Sequence, residues 1–144
     1  MHRVKQLAIF VEDRLGQLAR TTRALAEAGV NVRWVTIATS DQFGIMKFLV
    51  DVSDKAFQAL KHQGFTVTLN EVLAIEVQDK PGGLHDVAET LARHHISIDN
   101  ASGFVIASRK KAVLILEVQD LEKVEKLIRS KHLHLVSEEE LLRL

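Results

Sequence analysis

One short motif occurs twice in the chain, and this repeat constrains the fold more than any other feature of the sequence. Asp13-Arg14-Leu15-Gly16-Gln17-Leu18 returns 66 positions later (79 less 13) as Asp79-Lys80-Pro81-Gly82-Gly83-Leu84. The same offset carries Leu25-Ala26 onto Leu91-Ala92, Val30-Asn31-Val32 onto Ile96-Ser97-Ile98, and Asp51-Val52-Ser53-Asp54 onto Glu117-Val118-Gln119-Asp120. A constant offset over this length predicts a tandem duplication without a gap.

The repeat divides the 144 residues into two predicted domains, 1–70 and 71–144. A domain of about 70 residues is near the lower limit for a self-sufficient core, and duplicated small domains usually stabilise one another by packing. The join at Asn70-Glu71 has no Gly, Ser or Pro linker. We therefore expect two domains held in a fixed relation, with no separate catalytic domain left over.

Composition excludes several classes of function. The formal net charge is zero, which argues against a nucleic-acid binder, because such proteins normally carry a basic excess. The chain has no cysteine, and this excludes disulfides, thiol catalysis and cysteine-ligated zinc. Neither a signal-peptide stretch nor a membrane-length apolar run is evident, so we expect a cytoplasmic protein whose partners are small molecules or proteins.

The hydrophobic pattern predicts the same order of elements in each copy. The first copy reads as strand Leu7–Val11, a helix ended by Gly29, strands 30–38 and 44–52, a short helix with an N-cap at Ser53-Asp54, and strand 65–69. The second reads as strand 72–77, helix 83–94, strands 96–107 and 112–118, helix 121–130, and strand 133–136, with Ser137 and Glu140 forming a capping box. This βαββαβ order, found twice, predicts an α+β ferredoxin-like fold with antiparallel sheets and the helices on one face.

The central strands are apolar on both faces. Met46, Phe48 and Val50 alternate with Ile45 and Leu49, whereas a sheet with one wet face alternates apolar with polar residues. Because helices cover only one face, we expect the other to pack against the sister domain or a second subunit, which favours a homodimer.

The repeated turn, the amphipathic helix after it and the Gly29-Val30-Asn31-Val32 entry into the second strand resemble ACT domains, and the whole chain is similar to stand-alone tandem ACT proteins. The resemblance implies a regulatory rather than a catalytic role. It also implies that free amino acids bind at interfaces between ACT domains, between the turn before the first helix of one domain and the second strand of another.

Physical chemistry supplies an independent reason for a site at the repeated turns. Glycine at the start of a helix lets the backbone approach a ligand, and the unpaired amides there favour a carboxylate. Acceptors for the ammonium group are available at Asp13 and Asp79, while Leu15 or Pro81 would select the side chain. The predicted ligand-binding residues are Asp13, Leu15, Gly16, Gln17, Asn31, Asp79, Pro81, Gly82, Gly83, Ser97 and Asn100, with Ser102 as a secondary candidate.

Structural roles compete with each of these assignments. The glycines serve equally well in a turn that needs unusual backbone angles, the aspartates serve as helix caps, and Asn31 serves as a turn or surface residue. In the second copy Ser97 replaces Asn31 and His95 replaces Gly29, which predicts unequal binding by the two copies.

Metal and catalytic motifs give no competing function. His132 and His134 would share one face of a strand, but two ligands are too few for a metal site, and we expect neither metal nor cofactor. No nucleophile elbow, phosphate loop, dinucleotide fingerprint or zincin motif occurs. The sequence thus predicts a sensor of a free amino acid, branched-chain or otherwise hydrophobic, that signals to a partner enzyme or regulator. The alternative is a ligand-independent regulatory or scaffolding subunit of an amino-acid biosynthetic enzyme such as acetolactate synthase.

Overall fold

The computed structural model describes residues 3–12 and 15–144 of the chain. It forms two compact units, of which the first is Lys5–Glu71 and the second is Val72–Leu144 together with Arg3 and Val4. The elements are β1 Arg3–Glu12, α1 Gln17–Glu27, β2 Val32–Ser40, β3 Phe43–Val50, α2 Ser53–His62, β4 Thr66–Gln78, α3 Gly83–Arg93, β5 Asn100–Ala107, β6 Lys111–Glu117, α4 Leu121–Ser130 and α5 Glu138–Leu142. The ferredoxin-like α+β fold is confirmed.

The strand order gives each unit its antiparallel sheet. It runs β2-β3-β1-β4 around the first unit and β4-β6-β5 in the second. β1 pairs with β3, β2 with β3, β4 with β6, and β5 with β6, all antiparallel. β4 contains both the predicted strand 65–69 and the predicted strand 72–77, because no turn residue separates them.

Each unit has its own core on the helix side of its sheet. In the first unit, Leu7, Ile9, Met46 and Phe48 pack with Leu25 and Leu60. In the second, Leu73, Ile75 and Leu116 pack with Leu91 and Ile128. These residues alternate along their strands and recur at helical spacing along their helices, so the periodicity of the sequence correctly places the core.

The duplication is not free of gaps, which corrects the constant offset expected from the sequence. As far as β5, equivalent residues of the two units are 66 positions apart. The N-caps Gly16 and Gly82 show this, since the carbonyl of each accepts the first hydrogen bond of the helix that follows. After the hairpin the offset is 68 (120 less 52), because the N-cap of α2 is Val52 and that of α4 is Asp120. One added residue is in the hairpin loop, which has three residues at positions 108–110 where the first hairpin has only Asp41 and Gln42. The other is in β5, where the register shifts by one residue between Val105 and Ala107.

Three further details differ from expectation. The N-cap of α2 is Val52, without a side-chain cap bond, so Ser53 is the first helical residue. β5 begins at Asn100, where pairing with Glu117 starts. The predicted strand 133–136 is reduced to one bridge between Leu135 and Ile75, because α4 and α5, with their flanking turns, leave few residues for it. The predicted capping box of Ser137 and Glu140 is confirmed.

Candidate functional site

The turn between β4 and α3 presents backbone amides that have no hydrogen-bond acceptor among the described residues. Gly82 is the N-cap of α3 in the left-handed conformation (φ 86°) and has no side-chain cap bond. The first bond of the helix joins the Asp86 amide to the Gly82 carbonyl (3.0 Å). Within the described parts of the chain, no group accepts a hydrogen bond from the amides of Leu84 or His85. These amides and the positive end of the helix dipole favour an anionic ligand atom.

Gly83 has a different role from Gly82. It is buried, and a Cβ at this position would lie 2.0 Å from the Gln78 carbonyl oxygen. A Cβ at Gly82 would meet nothing within 4 Å. Gly83 is therefore required for the close approach of the helix to the end of β4, whereas Gly82 is required for its left-handed backbone.

Asp79 is held by the β5–β6 hairpin and does not cap α3, contrary to one of its predicted roles. Its amide donates to the Lys110 carbonyl (3.1 Å), and its Oδ2 accepts from the Arg109 amide (2.6 Å). These two bonds tie the turn before the helix to the hairpin. Asp79 also lines the adjoining cavity, to which its carboxylate brings a negative charge.

A cavity of about 540 Å³ lies beside this turn, and we call it the second-unit cavity. Gln78 at the end of β4 and the turn residues Asp79 and Lys80 line it. The other lining residues are mostly apolar and come from α3, β5, β6 and the segment before β5, among them Leu84, Ala88, Leu91, Ile98, Gly103, Val105 and Leu114. The arrangement therefore combines charged groups at one end with an apolar interior.

The first unit has a cavity of about 380 Å³ in the equivalent place, the first-unit cavity. Leu15, Gly16 and Gln17 line it together with Leu18 and Ile37, so the structure brings three of the predicted ligand-binding residues to one site. Gly16 is again a left-handed N-cap (φ 88°). Asp13 lies outside the described residues.

The remaining predicted residues lie apart from these linings. Asn31 is exposed in the turn before β2, where its backbone amide donates a hydrogen bond to the Asp51 carboxylate (2.9 Å). Ser97 is exposed and Asn100 begins β5. Neither they nor Pro81, Gly82 and Gly83 are among the residues that line the second-unit cavity, although Gly82 positions the amides next to it.

Ser102 does line the second-unit cavity, and its Oγ is buried without a hydrogen-bond partner among the described residues. In the β5–β6 pairing Ser102 lies opposite Ile115, whereas its neighbours Ala101 and Gly103 lie opposite the helix-side residues Leu116 and Leu114. The Ser102 side chain therefore belongs to the sheet face away from the helices.

The sequence did not predict Lys80, Leu84, Ile98, Gly103 or Val105 as site residues. Three of them are marked by exposed apolar side chains, since Leu84 is 58%, Val105 is 55% and Ile98 is 44% exposed. The helical stripe assigns Leu84 to the core, so its exposure is visible only in the folded unit. Gly103 enlarges the second-unit cavity because it has no side chain, and the sequence alone does not show that a glycine faces a cavity.

The two histidines considered as metal ligands are not arranged on a strand. His132 is a left-handed turn residue (φ 57°), and His134 Nε2 lies 2.8 Å from Glu140 Oε2. Residues 3–12 and 15–144 contain no group of three or more metal-binding side chains. None of the helices in those ranges is long and apolar enough to cross a membrane.

Known structures and families place this geometry in context. Protein BT0572 from Bacteroides thetaiotaomicron has 29% identity and a TM-score of 0.91, with 99% of this chain and 98% of that chain covered. The ligand-free regulatory subunit of aspartate kinase from Thermus thermophilus has 20% identity and a TM-score of 0.64, with 89% of this chain and 90% of that chain covered. Aspartate kinase from Synechocystis has 19% identity and a TM-score of 0.59, with 91% of this chain and 24% of that chain covered.

Curated proteins include no match to the sequence. The identities to the two aspartate kinase structures are low, so those similarities establish the fold alone. The family model described as an ACT domain pair matches residues 2–144, nearly the whole chain, and includes both copies of the turn. The chain therefore belongs to the ACT domain pair family.

Proposed function

We propose that this chain is a regulatory protein that binds a free amino acid at the turns before α1 and α3, which contain Gly16 and Gly82 and which we call the glycine turns. Binding would change the activity of a partner enzyme or regulator. The observation that carries the proposal is the second-unit cavity beside the amides of Leu84 and His85, for which the described part of the chain supplies no acceptor. A carboxylate suits these amides, and the Asp79 carboxylate suits an ammonium group. The ACT family match supports a regulatory rather than a catalytic role.

Regulation requires that the ligand bind one state of the protein more tightly than another. In the family-based proposal, the site lies where ACT domains meet, so ligand binding would favour one arrangement of a homodimer. Exposed apolar side chains support a protein contact on the sheet face away from the helices. Phe10 and Phe43 lie on that face of the first unit, Phe43 is 67% exposed, and both line a further cavity of about 510 Å³.

The same apolar surface favours the alternative of a ligand-independent scaffolding subunit for an amino-acid biosynthetic enzyme. The regulatory subunit of aspartate kinase shares the fold and provides an example of a separate regulatory chain. The two functions differ in their dependence on ligand. A scaffolding subunit would form its enzyme complex equally well with and without amino acids, whereas a sensor would change its complex or its stability when the ligand is added.

A thermal-shift screen of the purified chain against the twenty amino acids tests the proposal. A responding amino acid should raise the melting temperature in a concentration-dependent way, because it binds the folded state. Isothermal titration of the responder would then give its affinity and the number of sites per chain. The proposal fails if saturating concentrations of every amino acid leave the melting temperature unchanged and titration gives no heat of binding.

A further inference from the structure

The two cavities differ at the strand that forms their outer wall. In the first unit, Ile37 lies opposite Met46 on the helix side of the sheet. In the second, Gly103 lies opposite Leu114 at the equivalent position. The match is secure because Met46 pairs with Ile9 and Leu114 pairs with Ile75, which are equivalent residues of the first strand in each unit.

One pair further along the sheet, the same exchange recurs. Val35 lies opposite Phe48 in the first unit, while Ala101 lies opposite Leu116 in the second. Two large aliphatic side chains are thus replaced by glycine and alanine on one face of one strand. The second-unit cavity is correspondingly larger, at about 540 Å³ against about 380 Å³, and extends to Leu91 and Ile98.

We infer that the second unit is the amino-acid-selective unit and that it takes an amino acid with an aliphatic side chain, which occupies the space left by Gly103 and Ala101. This inference rests on the proposed function and adds the ligand class, the unit and the residues that set specificity. The side chain of the ligand would take the place that Ile37 and Val35 fill in the first unit.

The distribution of charge supports a zwitterion with an apolar tail. Lys80 and Asp79 supply a cation and an anion at the turn end of the cavity, which match the carboxylate and the ammonium group. Beyond them the interior wall is aliphatic, formed by Leu91, Ile98 and Val105. A polar ligand side chain buried there would lose its hydrogen bonds to water without replacement, which disfavours polar amino acids.

Gly103 can be replaced without backbone strain, so the inference can be tested directly. A Cβ at Gly103 would lie 3.4 Å from the Val113 carbonyl oxygen and 3.9 Å from Leu114 Cδ1, which is ordinary contact. Gly103→Val should therefore fold and fill the cavity. Ala101→Val, which restores the side chain present at Val35, gives a second variant with the same purpose.

The experiment is isothermal titration of the full-length chain with leucine, isoleucine, valine, methionine, glycine, aspartate and lysine, with folding checked by circular dichroism. We expect an aliphatic amino acid to bind the unmodified chain most tightly, with one site per chain. Gly103→Val should weaken that binding at least about tenfold, since an added side chain occupies the space for the ligand. Ala101→Val should weaken it in the same direction.

Thr36→Val is the control in the first unit. Thr36 lies beside Ile37 on β2 but lines neither the first-unit nor the second-unit cavity, so the substitution should leave the affinity unchanged. Unchanged affinity in folded Gly103→Val and Ala101→Val, or tighter binding of aspartate or lysine than of every aliphatic amino acid, would overturn the inference and leave the proposed function standing. Binding of none of the twenty amino acids would instead overturn the proposed function, and the inference with it.

Discussion

The carboxylate of Asp79 accepts a hydrogen bond of 2.6 Å from the backbone amide of Arg109. The Asp79 amide returns a bond of 3.1 Å to the Lys110 carbonyl, so one residue fastens the turn before α3 to the β5–β6 hairpin. Arg109 has a left-handed backbone (φ 61°), a conformation that is unfavourable for arginine and that the hydrogen bond helps to hold.

Asp79→Ala should loosen this connection. We expect it to lower the free energy of unfolding by about 1 kcal/mol, because the hairpin amide loses a partly exposed charged acceptor. Urea denaturation followed by circular dichroism measures the change. Asp99→Ala is the control. Asp99 bonds to β6 through its backbone amide (2.9 Å to the Glu117 carbonyl), and alanine keeps that bond. Equal effects of the two substitutions would contradict the role given to the Asp79 carboxylate.

Gln6 is a buried polar residue of β1, and we expect its side-chain amide to destabilise the fold. It is fully buried, and neither its Oε1 nor its Nε2 has a hydrogen-bond partner among the described residues. Val72 stands at the equivalent position of the second unit and is likewise buried. Gln6→Met keeps the length of the side chain and removes the unpaired amide, so we expect a gain of about 1–3 kcal/mol in the free energy of unfolding.

Chemical denaturation measures the effect of Gln6→Met. Gln42→Met, an exposed position in the first hairpin, should change stability by no more than about 0.5 kcal/mol. A loss of stability in Gln6→Met would show that the buried amide is hydrogen-bonded in solution, and it would refute its assignment as an unsatisfied group.

Gly83 and Gly103 should respond very differently to alanine. The added Cβ of Gly83→Ala would overlap the Gln78 carbonyl oxygen, so the start of α3 must move away from β4. We expect a loss of about 3 kcal/mol or more, whereas Gly103→Ala should stay within about 1 kcal/mol because its Cβ meets only ordinary contacts. Thermal melting of both variants makes the comparison, and a Gly83→Ala variant as stable as the unmodified chain would contradict the close approach.

The stability that Glu140 contributes near the C-terminal helix α5 should decrease at acidic pH. The hydrogen bond with His134 is the main cause that lowers the pKa of Glu140, and the bond with the Ser137 backbone acts in the same direction. Since the pKa is lower in the folded state, ionised Glu140 contributes stability above its unfolded-state pKa of about 4.3. That contribution is lost as the pH falls through the folded-state pKa.

Urea denaturation at about pH 6 and about pH 3 measures this contribution. Glu140→Gln should lower stability at the higher pH and have a smaller effect at the lower pH, because protonation of the native carboxyl as the pH falls removes the same contribution. Glu139→Gln, whose carboxylate pairs on the surface with Arg143, is the control. An effect of Glu140→Gln that is equal at both pH values would contradict the account.

Sequence periodicity was sufficient to predict most of the fold. The stripe of Leu84, Val87, Leu91 and their neighbours correctly predicted α3, and the capping box correctly predicted the start of α5. The change of offset from 66 to 68 was not predicted, because the two added positions lie within the second hairpin, where loop length and strand register have no direct signal in the hydrophobic pattern. The merging of two predicted strands into β4 follows from the lack of a turn residue between them, a feature that the sequence itself shows at Asn70-Glu71.

The candidate site was predicted less completely, for a physical reason. Motif residues such as Gly16 and Asp79 carry turn chemistry that can be recognised in the sequence. The cavity depends on which residues face each other across β5 and β6, and a register difference of two positions changes those partners. Gly103 and Lys80 could therefore be assigned to the site only after the pairing was known.

The most direct test of the amino-acid site is a crystal structure of the full-length chain with the amino acid that gives the largest thermal shift. We predict that its carboxylate lies within hydrogen-bond distance of the Leu84 or His85 amide or of Lys80 Nζ, with its side chain against Gly103. A ligand bound away from the glycine turns of both units, with no contact to α1 or α3, would contradict the central claim.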